Sequence, residues 1–478
     1  MKFYTAVTAE RGIRERRYAI LLILLVISCG NFFAINQLLG IQDQSGNNIV
    51  GIRDLLLMSV LLLGVTQLRR VPRKEGLNPL KVCCLVFVAG IVPCGIVVAL
   101  SGNAPLKTIA VELVALSAWG IPIVISVRDE RTLGFIQKGV MWAGIAMAFG
   151  VLVEFLTRMN IRVVTNASMG AVHNRPFPVS WVQLSLALSY VTVPILTAPR
   201  IFRRRVMLYG IAVCVVLAAV LLTQSRTYLV GYAVSIAVFA GVSALVKGGP
   251  VRASGLVFLG AGFAASFVGA MSLGGAFGGD NFAAYFHDRY SVLFDVGAAE
   301  QHAEREARIK EAEYAVDMLD SAPVFGGGLA VVYRQSIYGI AFSQTTGNMV
   351  VDDGTLAHNI VVYFATRFGL AGTIFLAVFH IVVIVSLVRA VGDRSHLGGV
   401  GQALTVGLLN VLICAWFGNG FAMPYMSPVS MTAVALVVWY ETQRGLQETL
   451  RHRDRMPVRL NRETTQPQRA SLSQLARQ

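Results

Sequence analysis

Two polar residues that could do chemistry stand at the start of a long apolar stretch, AHNIVVYFATRFGLAG (residues 357–372). His358 has an ordinary pKa of about 6.5, so its imidazole can be neutral at working pH and accept a proton from a hydroxyl group. Asn359 could orient this imidazole or bind a substrate. The alternative for both residues is structural, because polar side chains often cap the first turn of a helix.

Arginines form the second group of candidates. Ser225 and Arg226 lie in a turn between two apolar runs, in LLTQSRTYLVG. The planar guanidinium binds phosphate or pyrophosphate through two parallel hydrogen bonds, which a lysine cannot do. The alternative is pairing with acids such as Asp317 and Asp320, or contact with lipid headgroups. The full set of candidates is Arg158, Arg162, Arg175, Arg226, Arg289, Arg305, Arg308, Arg334 and Arg367.

The acidic and sulfur-containing residues give little indication of a metal site. Asp352 and Asp353 are adjacent carboxylates near His358 that could hold a metal ion, but such pairs in loops are commonly solvated. All six cysteines fall in apolar runs, and no Cys/His cluster has metal-ligand spacing. We therefore expect no metal and no cofactor.

A membrane-embedded scaffold must position these residues. The chain has 478 residues, 55% hydrophobic and 14% charged, and its mean hydropathy is +0.63. Apolar runs of about 20 residues, enough to cross a bilayer, recur along its length. The sequence therefore predicts an all-α polytopic membrane protein with about twelve transmembrane helices. The predicted spans are 18–39, 52–68, 80–101, 105–127, 134–156, 178–198, 206–223, 228–246, 253–272, 360–388, 402–418 and 424–440.

The net charge of +15 is distributed unevenly between the two sides of the membrane when the N-terminus is placed in the cytoplasm and the chain crosses at each predicted span. The cytoplasmic side receives 29 Lys+Arg and 10 Asp+Glu, and the outer side receives 12 and 16. Basic residues in short cytoplasmic loops are what the positive-inside rule predicts. The excess charge thus indicates topology and contact with membrane lipids rather than nucleic-acid binding, with both termini cytoplasmic.

Five regions follow from this arrangement. Residues 1–17 form a basic N-terminus, 18–272 the first nine spans, 273–357 a large outer loop, 358–440 the last three spans, and 441–478 a basic tail. Within the outer loop an amphipathic helix is predicted over 299–320. Its apolar stripe is Ile309, Ala312, Val316 and Leu319, and Pro323 and Gly326 follow its end.

Three stretches in this order resemble the O-antigen ligase and polymerase superfamily. His358, Asn359, Gly369 and Gly372 match its H-[NSG]-x9-G-x-x-G pattern. LLTQSRTYLVG is similar to its Ser-Arg turn, and RIKEAEYAVDMLDSAPVFGGGLA resembles its Arg-x3-Trp…Pro-x-x-Gly-x-Gly segment. There are two departures. Ala312 stands where the aromatic is expected after Arg308, so Arg305 is an alternative counterpart. Gln183 is the best counterpart of the family's Asn in the sixth span.

The resemblance implies metal-independent, inverting glycosyl transfer at the periplasmic face of the bacterial inner membrane. The donor would be an oligosaccharide on undecaprenyl pyrophosphate. His358, Arg226 and Arg308 would be catalytic, while Asn359, Ser225, Arg305, Arg175, Gln183 and Arg367 would bind substrate. Gly369 and Gly372 would let the chain bend or pack closely as it enters the bilayer.

Alternative activities remain open on the sequence alone. Polymerisation of O-antigen or exopolysaccharide repeat units is our first choice, and transfer of the finished glycan to a lipid A–core acceptor is the second. A transporter, or a non-enzymatic partner of other polysaccharide assembly proteins, is the third. Transporters place charged residues at mid-membrane, whereas here the polar candidates gather at the outer surface.

Overall fold

The chain is helical apart from one short hairpin, within the part of it that the computed structural model describes. That part comprises residues 2–30, 52–68, 78–104, 106–125, 129–157, 181–198, 203–223, 225–277, 286, 299–332, 340–342, 349–351, 357, 359–395, 397–417, 421 and 426–455. The helices are α1 (Lys2–Gly30), α2 (Ile52–Leu68), α3 (Pro79–Ser101, with a π-helical turn at Phe87–Ile91), α4 (Leu106–Ser117, continued by a 3₁₀ turn at Ala118–Gly120), α5 (Ile121–Val124), α6 (Glu130–Thr157), α7 (Trp181–Thr197), α8 (Arg204–Leu222), α9 (Arg226–Leu245), α10 (Ala253–Phe277), α11 (Ala299–Ser321), α12 (Ile360–Gly392), α13 (Gly398–Ala415) and α14 (Ser427–Arg455). Strands β1 (Ile340–Phe342) and β2 (Met349–Val351) pair antiparallel.

Seven of the described helices are long and apolar enough to cross a membrane: α3, α6, α8, α9, α10, α12 and α13. They coincide with seven of the predicted spans. The remaining five predicted spans overlap α1, α2, α4–α5, α7 and α14, which are shorter or carry more polar residues. The count of about twelve transmembrane helices therefore stays a prediction.

Helix α7 lies at the centre of the fold. Its residues are buried except Pro194 and Thr197, which are partly exposed. It packs on α6 and α8, its neighbours in sequence, and on α13 from the C-terminal part of the chain. A helix with apolar residues on every face is expected in such a surrounded position, and its few polar side chains are buried with them.

A polar network joins α7 to α13 inside this core. Asn410 Nδ2 donates to the Ser185 carbonyl at 3.0 Å and to Ser189 Oγ at 3.1 Å, and the Asn410 side chain is completely buried. In lipid a buried amide of this kind stabilises helix association because it has no water to bind instead.

We expect Asn410→Leu to lower the free energy of unfolding by about 0.6–1.7 kcal/mol, the range of interhelical hydrogen bonds in membranes. A double-mutant cycle with Ser189→Ala, measured by steric trapping in bicelles, isolates the contact. Strictly additive effects of the two substitutions would contradict a direct bond.

Helix α3 starts at a capped terminus that also fixes α14. Asn78 Oδ1 accepts from the backbone N–H groups of Leu80 and Lys81, and Pro79 occupies the first helical position, where its missing N–H has no consequence. Asn78 Nδ2 donates to Glu441 Oε2 at 3.1 Å. The amide thus satisfies a helix end and a buried carboxylate together.

The helix predicted over 299–320 is present as α11, but it does not pack through the predicted stripe. Its buried face contains Glu311 and Ala315, with Met318 partly buried, and it lies against α12. Ile309 and Val316 of the apolar stripe are exposed. The buried residues lie on the face of α11 next to this stripe, at about 100° between successive residues.

Candidate functional site

The site begins at the N-terminus of α12, where Asn359 is the capping residue. Its backbone is extended, and its Oδ1 accepts from the Val361 N–H at 2.7 Å. Its Nδ2 is not used by this cap. Ala357 and Ile360 are completely buried, so the start of the helix is anchored. His358, the expected catalytic histidine, lies outside the described residues.

Ten residues further on, α12 is broken at Gly369. The glycine has φ +59° and ψ −146°, a backbone conformation that residues with a Cβ rarely adopt. The break separates a short segment, residues 359–368, from the long apolar part of α12. We call residues 359–368 the site segment. Gly372 lies one turn beyond the break, and a Cβ there would meet Phe368 Cβ at 2.5 Å.

A loop from the end of α11 fills this break. The N–H groups of Gly327 and Gly328 donate to the carbonyls of Thr366 and Arg367, at 2.8 and 3.1 Å. In return, the Leu370 and Ala371 N–H groups donate to the carbonyls of Pro323 and Val324, at 2.8 and 3.1 Å. The loop therefore replaces the helical hydrogen bonds that the break removes. We call residues 323–328 the glycine loop.

Close backbone approach explains the glycines on both sides. Gly326 has φ +64°, and a Cβ on it would lie 2.6 Å from the Thr366 carbonyl oxygen and 2.7 Å from Gly369 N. A Cβ on Gly369 would lie 2.5 Å from Gly326 N. The Pro-x-x-Gly-x-Gly and Gly-x-x-Gly stretches are thus directly bonded to each other.

A buried ion pair holds the far end of the site segment. Arg367 is completely buried, and its Nε donates to Glu112 Oε1 at 3.2 Å. Glu112 Oε2 accepts from the Ala330 N–H at 2.8 Å, and the guanidinium lies 4.8 Å from the centre of the Tyr363 ring. One carboxylate therefore joins α4, the chain just after the glycine loop, and α12.

Aromatic rings pack along the same face of α12. Phe364 and Phe368 of the site segment contact Phe87 of α3, with ring centroids 5.4 and 5.5 Å apart. Trp119 lies 6.2 Å from Phe364 and donates its indole N–H to the Phe421 carbonyl. Large aromatic contacts of this kind leave the segment little freedom to rotate.

Ser225 and Arg226 occupy the start of α9, with Ser225 as the capping residue. Helix α9 packs on α12. At the opposite ends of these two helices, Arg394 Nη2 donates to the Lys247 carbonyl at 2.9 Å. Arg226 and Asn359 therefore lie at the same side of the molecule, away from the end where α12 meets Lys247.

Arg308 is carried by α11, which also packs on α12. It is partly exposed, and its Nη1 lies 3.8 Å from the buried Glu311 carboxylate. The guanidinium is long enough to keep this contact and still reach solvent. Pairing with an acid on its own helix, the alternative for this arginine, is thus observed, and a second contact with phosphate stays a prediction.

Two residues expected to bind substrate are buried in the structure. Arg367 is enclosed and paired with Glu112, and this contact positions α12. Gln183 is buried in α7 and donates to the Val26 carbonyl of α1. Arg367 and Gln183 were predicted to bind substrate from their positions in the sequence, and position in the sequence does not show whether a side chain is buried. Arg175 and the side chain of Arg305 lie outside the described residues, so their roles stay predictions.

Glu112 is the site residue that the sequence reasoning missed. It is not among the candidates that the sequence analysis names. The available signal was its position inside an apolar run, since an acid there usually has a buried partner.

Taken together, the described geometry presents a rigid segment that begins at a polar capping residue, Asn359, with two partly exposed arginines, Arg226 and Arg308, on helices packed against α12. Such a site could hold an anionic group and present a polar side chain to it. Among the described residues, no group of three His, Cys, Asp or Glu side chains is arranged to hold a metal ion.

Comparison with known protein families gives a match. The family model described as O-antigen ligase matches residues 211–377. This region runs from α8 to the middle of α12, so it contains Arg226, α11, the glycine loop and the break at Gly369. No curated protein matches the chain.

Proposed function

Because the chain belongs to the O-antigen ligase/polymerase superfamily, we propose that it is a membrane glycosyltransferase that acts at the periplasmic face of the bacterial inner membrane. Its donor is a glycan linked to undecaprenyl pyrophosphate. It polymerises the repeat units of an O-antigen or an exopolysaccharide, joining the glycan of one lipid-linked unit to the hydroxyl of another.

The proposed step is a single displacement without a metal ion or cofactor. His358 accepts the proton of the acceptor hydroxyl, whose oxygen attacks the anomeric carbon of the donor sugar. The bond to the pyrophosphate oxygen breaks, and undecaprenyl pyrophosphate leaves with both electrons of that bond. Attack from the face opposite the leaving group inverts the anomeric configuration. Arg226 and Arg308 stabilise the negative charge that grows on the pyrophosphate.

The observation that carries this proposal is the bonding between the glycine loop and the break in α12. Two of the three stretches on which the family resemblance rests are hydrogen-bonded to each other at backbone level. The third, Ser225–Arg226, lies on a helix packed against α12. A motif set that extends from Ser225 to Gly372 in the sequence thus converges on one helix.

Charge supports the periplasmic placement. At the end of α12 remote from the site, Arg389 lies in the last turn and Arg394 follows the helix. The C-terminal end of α9, which Arg394 contacts through the Lys247 carbonyl, is followed by Lys247 and Arg252. Basic residues in short loops favour the cytoplasmic side. The opposite end, with Asn359 and Arg226, then faces the periplasm.

Transfer of the glycan to lipid A–core is the second candidate, because the matching family is described by that ligase activity. Both reactions use the same donor and the same residues in the proposed roles. They differ in the acceptor: a lipid-linked glycan for the polymerase and lipid A–core for the ligase.

The test is complementation of a deletion strain with wild type, His358→Ala or Arg226→Ala. We expect His358→Ala to abolish transfer. Arg226→Ala should reduce it about 10- to 100-fold, the value of a charge-assisted hydrogen bond. Arg205→Ala, an exposed arginine at the opposite end of α8, is the matched control and should behave as wild type.

The products that accumulate identify the reaction. Single lipid-linked repeats indicate a lost polymerase, and long lipid-linked chains beside bare core indicate a lost ligase. Full activity of His358→Ala, with normal amounts in the membrane, would contradict the catalytic role and favour a transporter or an assembly partner.

A further inference from the structure

Helix α11 has three faces rather than two. With about 100° between successive residues, Glu311, Ala315 and Met318 form the face packed in the protein. Ile309, Ala312 and Val316 form a second, exposed face, and Ile309 and Val316 are 48% and 56% accessible. These are three of the four residues of the predicted apolar stripe; the fourth, Leu319, is partly buried, and the name is used below for the three exposed ones. The third face is charged and mostly acidic: Glu306, Lys310, Glu313, Asp317 and Asp320.

The charged face is organised as a water-facing surface. Lys310 Nζ lies 2.8 Å from Glu306 Oε1, one turn apart, and this hydrogen bond lowers the pKa of the Glu306 carboxyl. Both side chains are well exposed. The apolar stripe lies beside this surface and cannot be explained by packing within the described part of the chain.

The lipid-facing side of α12 shows where the bilayer ends. Its exposed apolar residues start at Leu370 and end at Val388: Leu370, Ile374, Val378, Ile381, Ile384, Val385 and Val388. The rise from 370 to 388 is about 27 Å at 1.5 Å per residue, close to the thickness of the hydrocarbon region. Leu370, next to the break at Gly369, therefore marks one boundary of the bilayer.

The glycine loop lies at this boundary. Its Pro323 and Val324 carbonyls accept from Leu370 and Ala371, and the side chains of Val324 and Phe325 are exposed, at 55% and 43%. The loop follows directly from the end of α11. Val324 and Phe325 thus add exposed apolar surface to that of α12, directly after the end of α11.

We propose that α11 is an interfacial helix, seated on the membrane at the Gly369 side. The apolar stripe, Val324 and Phe325 enter the boundary between headgroups and acyl chains, and the acidic face points to water. A helix seated in this way lies in the plane of the interface, with its apolar residues about 5–10 Å into the boundary between headgroups and acyl chains. The occupant of the stripe is the phospholipid surface itself. This proposal does not depend on the reaction proposed above.

The experiment places a photo-crosslinking residue, p-benzoyl-phenylalanine, at Ile309 or Val316, and as matched controls at Glu313 or Asp317. The full-length protein is reconstituted in nanodiscs of phosphatidylethanolamine and phosphatidylglycerol, irradiated, and its lipid adducts are quantified by mass spectrometry. The same residue at Leu370 gives the lipid-facing benchmark. We expect about tenfold more lipid adduct at the stripe positions than at the acidic positions, since only one face meets lipid.

A second variant tests the stripe without relying on the probe position alone. Val316→Glu should reduce lipid adducts at Ile309 severalfold and leave those at Leu370 unchanged. Adducts at Leu370 combined with equal adducts on both faces of α11, or with none at the stripe, would overturn the proposal. So would crosslinks from the stripe to protein, either a second copy or the chain itself. Glycosyl transfer is not measured here, so failure of this proposal leaves the enzymatic one untouched.

Discussion

Gly369→Ala is expected to lower the free energy of unfolding by about 2–5 kcal/mol, because two costs combine. The first is backbone strain, since an L-residue disfavours φ +59°. The second is collision: the new Cβ would lie 2.5 Å from Gly326 N and 2.7 Å from the Val324 backbone. Backbone atoms cannot rotate away as a side chain can, so the glycine loop must leave the break. The four backbone hydrogen bonds between the loop and α12 are then lost.

The measurement is unfolding in bicelles together with the transfer assay. Gly241→Ala is the matched control, because Gly241 lies inside α9 with open space around its Cβ position and should change stability little. The reciprocal variant Gly326→Ala should resemble Gly369→Ala. If Gly369→Ala were as stable as wild type, the break would not depend on a glycine.

Breaking the ion pair between Glu112 and Arg367 is the second large effect. Arg367→Met leaves a buried carboxylate without its cation, and Glu112→Gln leaves a buried guanidinium without its anion. Each should cost about 3–5 kcal/mol, the usual penalty for an uncompensated buried charge. The site segment should also shift, because Glu112 no longer ties the chain after the glycine loop to α12.

The double variant separates charge from shape. Arg367→Met combined with Glu112→Gln removes both charges, so its cost should be well below the sum of the single costs. Glu306→Gln is the control, because its partner Lys310 is exposed and the pair contributes little. Purely additive losses would show that the two residues stabilise the fold independently.

Local features of the site could be predicted from the sequence. The glycines at 369 and 372 and the Pro-x-x-Gly-x-Gly segment indicate an unusual backbone conformation. The predicted helix 299–320 begins at the same residue as α11 and ends one residue earlier. These features depend on residues close together in the chain. The apolar stripe of α11 was also recognised, although its surroundings were not.

Features that depend on distant residues could not be predicted. Arg367 and Glu112 are 255 positions apart, and one sequence contains no signal that pairs them. Arg367 was therefore grouped with the other candidate arginines only because all of them were predicted to lie on the outer side of the membrane. Likewise, Gln183 was matched to a family position although its partner, Val26, lies in α1. Which face of a helix is buried depends on neighbours that arrive from elsewhere in the chain.

The central position of α7 has a consequence for biogenesis. Its neighbours α6 and α8 leave the ribosome with it, but Asn410, which binds the Ser185 carbonyl and Ser189, is synthesised 225 residues after Ser185. Until α13 is inserted, the Ser185 carbonyl and the Ser189 hydroxyl of α7 lack their hydrogen bonds from Asn410. Assembly therefore cannot finish progressively from the N-terminus. Helices α13 and α14, in about the last sixth of the chain, complete the bundle, and chains terminated before Gly398 lack the Asn410 contacts to Ser185 and Ser189.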